Sequence, residues 1–139
     1  PLLESEVLKK HEYLVGLNCA FLSLLTRAFE IDTKIVKASD LELPSNLKGG
    51  TIVNYEICKS LSAKEYLSGI SGKDYLDSAY FNDRGIQVKF QEFYHPIYQQ
   101  RYEPFLPFMS SIDSLFLYGD DAKTILFSDK TERLSYYIT

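Results

Sequence analysis

Two stretches of this chain hold residue types that chemistry can use. The first is Ser68-Gly69 followed by Ser71-Gly72-Lys73. Glycines let a ligand approach the backbone closely. Amides at the start of a following helix have no partner inside that helix and suit an anion. The serine hydroxyls and Lys73 add donors and positive charge. A phosphate or a carboxylate fits such a turn. The spacing is not that of a P-loop, because Leu67 stands where that pattern needs glycine and Asp74 follows Lys73. A plain glycine turn with a serine cap accounts for the same residue types, so both readings stand.

The second stretch centres on His95, which precedes Pro96 and lies among Glu92, Tyr94, Tyr98 and Gln99. An imidazole near neutrality is a suitable acid or base. Asp113 is the residue that could orient it, provided the helix carrying Asp113 packs against this loop. The alternative is a structural histidine bonded to backbone. Tyr98 and Gln99 could stack on, and bond to, a sugar or a base, whereas Phe105 and Phe108 read as core. The chain order Cys58, His95, Asp113 is that of thiol acyl-transfer enzymes. Cys58, however, falls inside a helical pattern rather than at a helix start, which favours a core thiol.

These residues need elements to place them. A helix is expected over 12–30, where Leu14, Leu17, Phe21, Leu24, Leu25 and Phe29 recur at helical spacing. Ile35-Val36 reads as a short strand. A second helix, about 52–61 with Thr51 as cap, aligns Val53, Ile57 and Leu61. Residues 65–68 read as a strand, 73–82 as a helix closed by Gly85, and 86–90 as a strand with two unlike faces. Three prolines make 94–108 an ordered aromatic loop. A helix follows over 111–118, with Asp113 in its first turn. Residues 122–127 read as a short helix and the final nine as an edge strand or a frayed end. Alternation of strands and helices predicts an α/β fold: a small, mostly parallel sheet with flanking helices in Rossmann-like βαβ units.

The 139 residues make one domain. A hydrophobic content of 45% supports a packed core. The net charge of -4, with fifteen Lys and Arg against nineteen acids, excludes the clustered positive charge that nucleic acid or an anionic membrane requires. Two cysteines and two histidines at irregular spacing give no metal signature, and no cofactor motif is present. Cys19 and Cys58 are both expected as buried free thiols, which suits a reducing cytoplasm. No stretch is apolar enough for a membrane span.

Three segments in register carry a family resemblance: "YLSGISGKDYLD" (66–77), "GIQVKFQEFYHPIYQQ" (85–100) and "FLPFMSSIDSLFLYG" (105–119). They resemble the carboxy-terminal signature of the WbqC-like family. That signature has a Tyr-Leu-Ser-Gly turn, a His-Pro-x-Tyr-x-Gln segment and a Pro-x-x-Ser-x-x-Asp-x-Leu-Phe helix. The family's opening Gln-Pro-x-Tyr motif is absent here, so the chain reads as the carboxy-terminal portion of a longer protein. Leu117 stands where the family usually has Asn, so no role of that amide carries over.

The resemblance implies a role in surface-polysaccharide (O-antigen) biosynthesis. One version is a transferase part acting on a nucleotide-linked or amino sugar, or on an acyl donor. In it His95 and Asp113 are catalytic, and Ser68, Gly69, Ser71, Gly72, Lys73, Tyr98 and Gln99 bind substrate. The other version is a non-catalytic substrate-binding or assembly module with an exposed apolar patch. Its expected partners are a small-molecule substrate and a second copy of the chain.

Overall fold

The computed structural model describes residues 3–7, 9–127 and 133–135. The chain divides into two compact units, one built from 35–93 and the other from 1–34 with 94–139.

The elements are named along the whole chain. They are α1 (Leu14–Ala28), α2 (Gly50–Ser60), β1 (Glu65–Ser68), α3 (Ser78–Asn82), β2 (Gln87–Phe90), β3 (Tyr94–Pro96), α4 (Ser111–Tyr118), α5 (Ala122–Phe127) and β4 (Arg133–Ser135). Mixed helix and strand make this an α/β chain. The strands form two pairs: β1 with β2 in parallel, and β3 with β4 antiparallel.

The parallel pair runs in register from Glu65 opposite Gln87 to Ser68 opposite Phe90. Parallel strands need a crossover, and here it is a five-residue 3₁₀ turn, Ile70–Asp74, followed by α3. The expected helix over 73–82 is therefore shorter. Its first part winds as 3₁₀, and α3 starts only where the Asp77 carboxylate accepts from the Tyr80 amide at 3.1 Å. Thr51 lies within α2 rather than capping it; Gly49 holds the cap position at φ 82°. The Thr51 hydroxyl instead accepts from the Asp77 amide at 3.1 Å and ties α2 to the start of α3.

Phe81 is fully buried at the centre of this unit, with Cys58, Leu76 and Ile86 around it. Tyr66 stacks on its ring at 5.3 Å, and Tyr55 meets it edge-on at 5.7 Å. Ile35 and Val36 form no strand among the described residues, and both are exposed. Two apolar residues between lysines offer too little alternation to hold a ladder.

In the other unit α1 ends in a Schellman arrangement: the Glu30 amide donates to the Arg27 carbonyl and the Ile31 amide to the Thr26 carbonyl. Val7, Leu24, Phe29 and Ala122 are buried here. Lys123 bonds Glu30 and so joins α5 to the end of α1. The Glu30 carboxyl is held below its usual range, first by the hydrogen bond from Lys123 and then by that residue's charge. The loop expected over 94–108 begins as strand β3, whose partner β4 lies in the last nine residues. The other residues of that tail, 131–132 and 136–139, lie outside the described ones. Phe81→Ala should lower unfolding free energy by about 3–5 kcal/mol, read from the midpoint of urea denaturation.

Candidate functional site

The Ser68 turn belongs to the 35–93 unit. Ser68 is buried, and its hydroxyl donates to the Gly69 carbonyl at 3.2 Å. The Gly72 amide donates to the same carbonyl at 2.9 Å, and the Gln91 amide donates to the Ser68 carbonyl at 2.8 Å. Gly72 is buried too. A Cβ there would fall 2.1 Å from the Ser68 oxygen and 3.3 Å from the Phe90 ring. The glycine therefore allows strand β1 and the 3₁₀ turn to pack in contact. Gly69, Ser71 and Lys73 form the exposed side of the turn, and the Lys73 ammonium lies 5.7 Å from the Phe90 ring centre. No α-helix starts at this turn, contrary to the sequence reading.

His95, Tyr98, Gln99 and Asp113 belong to the other unit. His95 is only 5% exposed. Its Nδ1 lies 2.7 Å from the Pro96 carbonyl, and its Nε2 lies 2.9 Å from the Phe108 amide. A carbonyl can only accept and an amide N–H can only donate. The ring therefore carries its proton on Nδ1 and its lone pair on Nε2. Both nitrogens are bonded to backbone.

Asp113 does not orient this ring. Its carboxylate accepts from the Tyr98 hydroxyl at 2.9 Å. Tyr98 is buried, with Phe105 edge-on at 5.7 Å and Tyr118 edge-on at 6.1 Å. Burial raises the Tyr98 phenol above its ordinary value, the Gln100 side chain opposes that, and the Asp113 carboxylate adds to it. The Gln99 side chain is exposed, and its backbone carbonyl accepts from the Tyr118 hydroxyl at 2.7 Å.

Gln100, rather than Gln99, is the amide that builds structure. Its nitrogen donates to the Leu106 carbonyl at 2.8 Å, while its oxygen accepts from the Leu106 amide at 2.7 Å. Tyr98 is buried and Gln100 is half-buried, whereas Gln99 between them is exposed. Ser110 precedes α4 and accepts from the Ile112 amide at 3.4 Å. The residues of the two motifs, His95, Tyr98, Gln100, Ser110 and Asp113, thus serve one clasp over 94–118.

Cys58 is buried, and burial pushes its thiol up. That fits a core thiol. Cys19 is exposed on α1, against expectation, because only Leu24 of that helix is buried. Among the described residues no group of three or more His, Cys, Asp or Glu could hold a metal ion. Among them, too, no helix is long and apolar enough to cross a membrane.

A mixed α/β chain whose motif residues close one polar and aromatic clasp agrees with a family signature. The model of the WbqC-like protein family matches residues 1–125, and the chain belongs to that family. It is 29% identical over 119 residues to "Uncharacterized protein Rv1507c" of Mycobacterium tuberculosis (strain ATCC 25618 / H37Rv). That stretch covers 85% of this chain and 50% of that protein, so the chain spans about half the length of the relative. No solved structure matches the chain.

Two outcomes are expected. Gly72→Ala should cost about 1–3 kcal/mol through overpacking, and adding Ser68→Ala should recover part of it in urea melts. The second concerns pH. The folded state holds the Tyr98 phenol above its unfolded value near 10, so it binds more protons than the unfolded chain in that range. Its stabilising effect is full below the unfolded value and is lost as pH rises through the folded one. Between about pH 9 and about pH 11, wild-type protein should lose more Tm than Tyr98→Phe. Equal losses would contradict the assignment.

Proposed function

We propose that this chain is a substrate-binding or assembly module in bacterial surface-polysaccharide biosynthesis, acting in the cytoplasm on an activated sugar or acyl donor. Its motif histidine and aspartate serve as framework rather than as a proton-transfer pair. One observation supports this most: both nitrogens of buried His95 bond backbone, and the Asp113 carboxylate bonds Tyr98. A general base needs a nitrogen within reach of substrate, and this imidazole offers none. Group transfer then depends on residues outside this clasp.

Exposed apolar side chains support a module that covers or is covered. Leu14, Val15 and Leu22 of α1 are exposed, as are Leu106, Phe108, Met109 and Phe116. Apolar surface of this kind marks binding or assembly faces. We read β1, α3 and β2 as a Rossmann-like βαβ unit reduced to two strands.

The test is a thermal-shift and turnover screen of the chain with nucleotide sugars and acyl-coenzyme A. Binding to the folded state at a hundred times Kd raises stability by about 2.7 kcal/mol. The expected result is a higher Tm with a nucleotide sugar and no product. Release of nucleotide that His95→Gln abolishes would contradict the proposal, and so would the absence of any shift.

A further inference from the structure

The parallel pair β1 and β2 leaves rows of backbone groups without partners. In a parallel ladder each residue turns its N–H and C=O to one side, and alternate residues share that side. The Gln87 amide donates to the Lys64 carbonyl, and the Gln91 amide to the Ser68 carbonyl. Lys64, Tyr66 and Ser68 therefore face β2, while Glu65 and Leu67 face the opposite way. Among the described residues the sheet has only these two strands, and no backbone hydrogen bond takes up the outward groups of Glu65 or Leu67.

The outer edge of β2 is open as well, but the two edges differ. Opposite Leu67 of β1 stands Lys89 of β2, and a lysine on an edge strand hinders further pairing. Leu67 is 64% exposed and offers no such hindrance. The charge on β1, that of Glu65, is already held by the Lys89 ammonium. The inner face of β1 is packed, with Tyr66 stacked on Phe81 and Ser68 buried. β1 thus joins a finished inner face to an unpaired edge with an apolar side chain beside it. Such an edge is a template for another strand.

Size decides what that strand belongs to. β1 has four residues, about 13 Å of extended chain. A second copy pairing on so short an edge buries far less than the ~800 Å² per partner of a stable complex. A strand joined to the same chain needs no such area, because the linkage supplies a high effective concentration. The mycobacterial relative has the length for this: the shared stretch is 50% of that protein, so as much again lies outside it. We propose that the outer edge of β1 pairs with a strand from the half of the longer family chain that lies outside the shared stretch. β1 is then an interior strand of a larger sheet, and this chain is one part of that sheet. The proposal goes beyond the sugar- or acyl-donor reading and does not rest on it.

The experiment compares amide hydrogen exchange in this chain and in the full-length mycobacterial relative. In this chain, at low concentration, the Tyr66 and Ser68 amides should exchange slowly and the Glu65 and Leu67 amides fast. In the relative, the amides aligned with Glu65 and Leu67 should exchange at least about a hundredfold more slowly than here, at every dilution. Nuclear Overhauser contacts from those two amides should lead to residues outside the shared stretch. Fast exchange of both amides in the relative overturns the proposal. So do contacts that lead back into the shared stretch, and protection that dilution removes, which marks a second copy. Protection of Glu65 and Leu67 in this chain that grows with its concentration marks a second copy too, and protection at every concentration means a closed edge. Either result sinks the proposal.

Discussion

A single imidazole holds the 94–118 segment in shape. His95 donates from Nδ1 to the carbonyl of the next residue and accepts at Nε2 from an amide thirteen residues on. Buried polar groups must be bonded, and here the ring supplies a donor to the Pro96 carbonyl and an acceptor to the Phe108 amide. Pro96 brings no N–H of its own. The other bonds follow in sequence: Gln100 to Leu106, Tyr98 to Asp113, and Tyr118 to the Gln99 carbonyl. Phe105 and Phe108 both pack edge-on against the histidine ring.

Such an arrangement separates two jobs that a motif alone blurs. The residues that look chemical, a buried imidazole and a half-buried carboxylate, are both bonded within the segment. Tyr102, Leu106, Phe108 and Met109 are among the residues that reach solvent. Partly satisfied polar networks are costly and fully satisfied ones rigidify, so a bonded interior is what a fixed outer surface requires. In the other unit Gly72 acts in a similar way, since its missing side chain lets the turn close on Ser68 and Phe90.

Local pattern was readable in the sequence, and long-range pairing was not. Helical spacing gave α1 to within two residues at each end, and the Ser-to-Tyr span of α4 matched. Alternation gave β1 and β2, and Gly85 closes α3 at φ 80° as its type suggests. Three prolines hid β3, because a three-residue strand shows no periodicity and its partner lies at the other end of the chain. Residues 73–82 read as one helix, yet Lys73 and Asp74 belong to the 3₁₀ turn in which Gly72 packs on Ser68. Asp113 was assigned to His95 because both are ionisable. The choice of Tyr98 instead depends on where α4 docks, which no spacing records. Cys19 lay in an apolar run, but the buried side of α1 proved narrower than that run.

The most direct measurement is nitrogen-15 NMR of the two imidazoles, His11 and His95, in the folded chain. The account predicts that His95 carries its proton on Nδ1, leaves Nε2 bare, and shows a through-bond coupling from Nε2 to the amide of Phe108. A His95 ring protonated on Nε2, or one whose nitrogens exchange between forms like an exposed histidine, would contradict it.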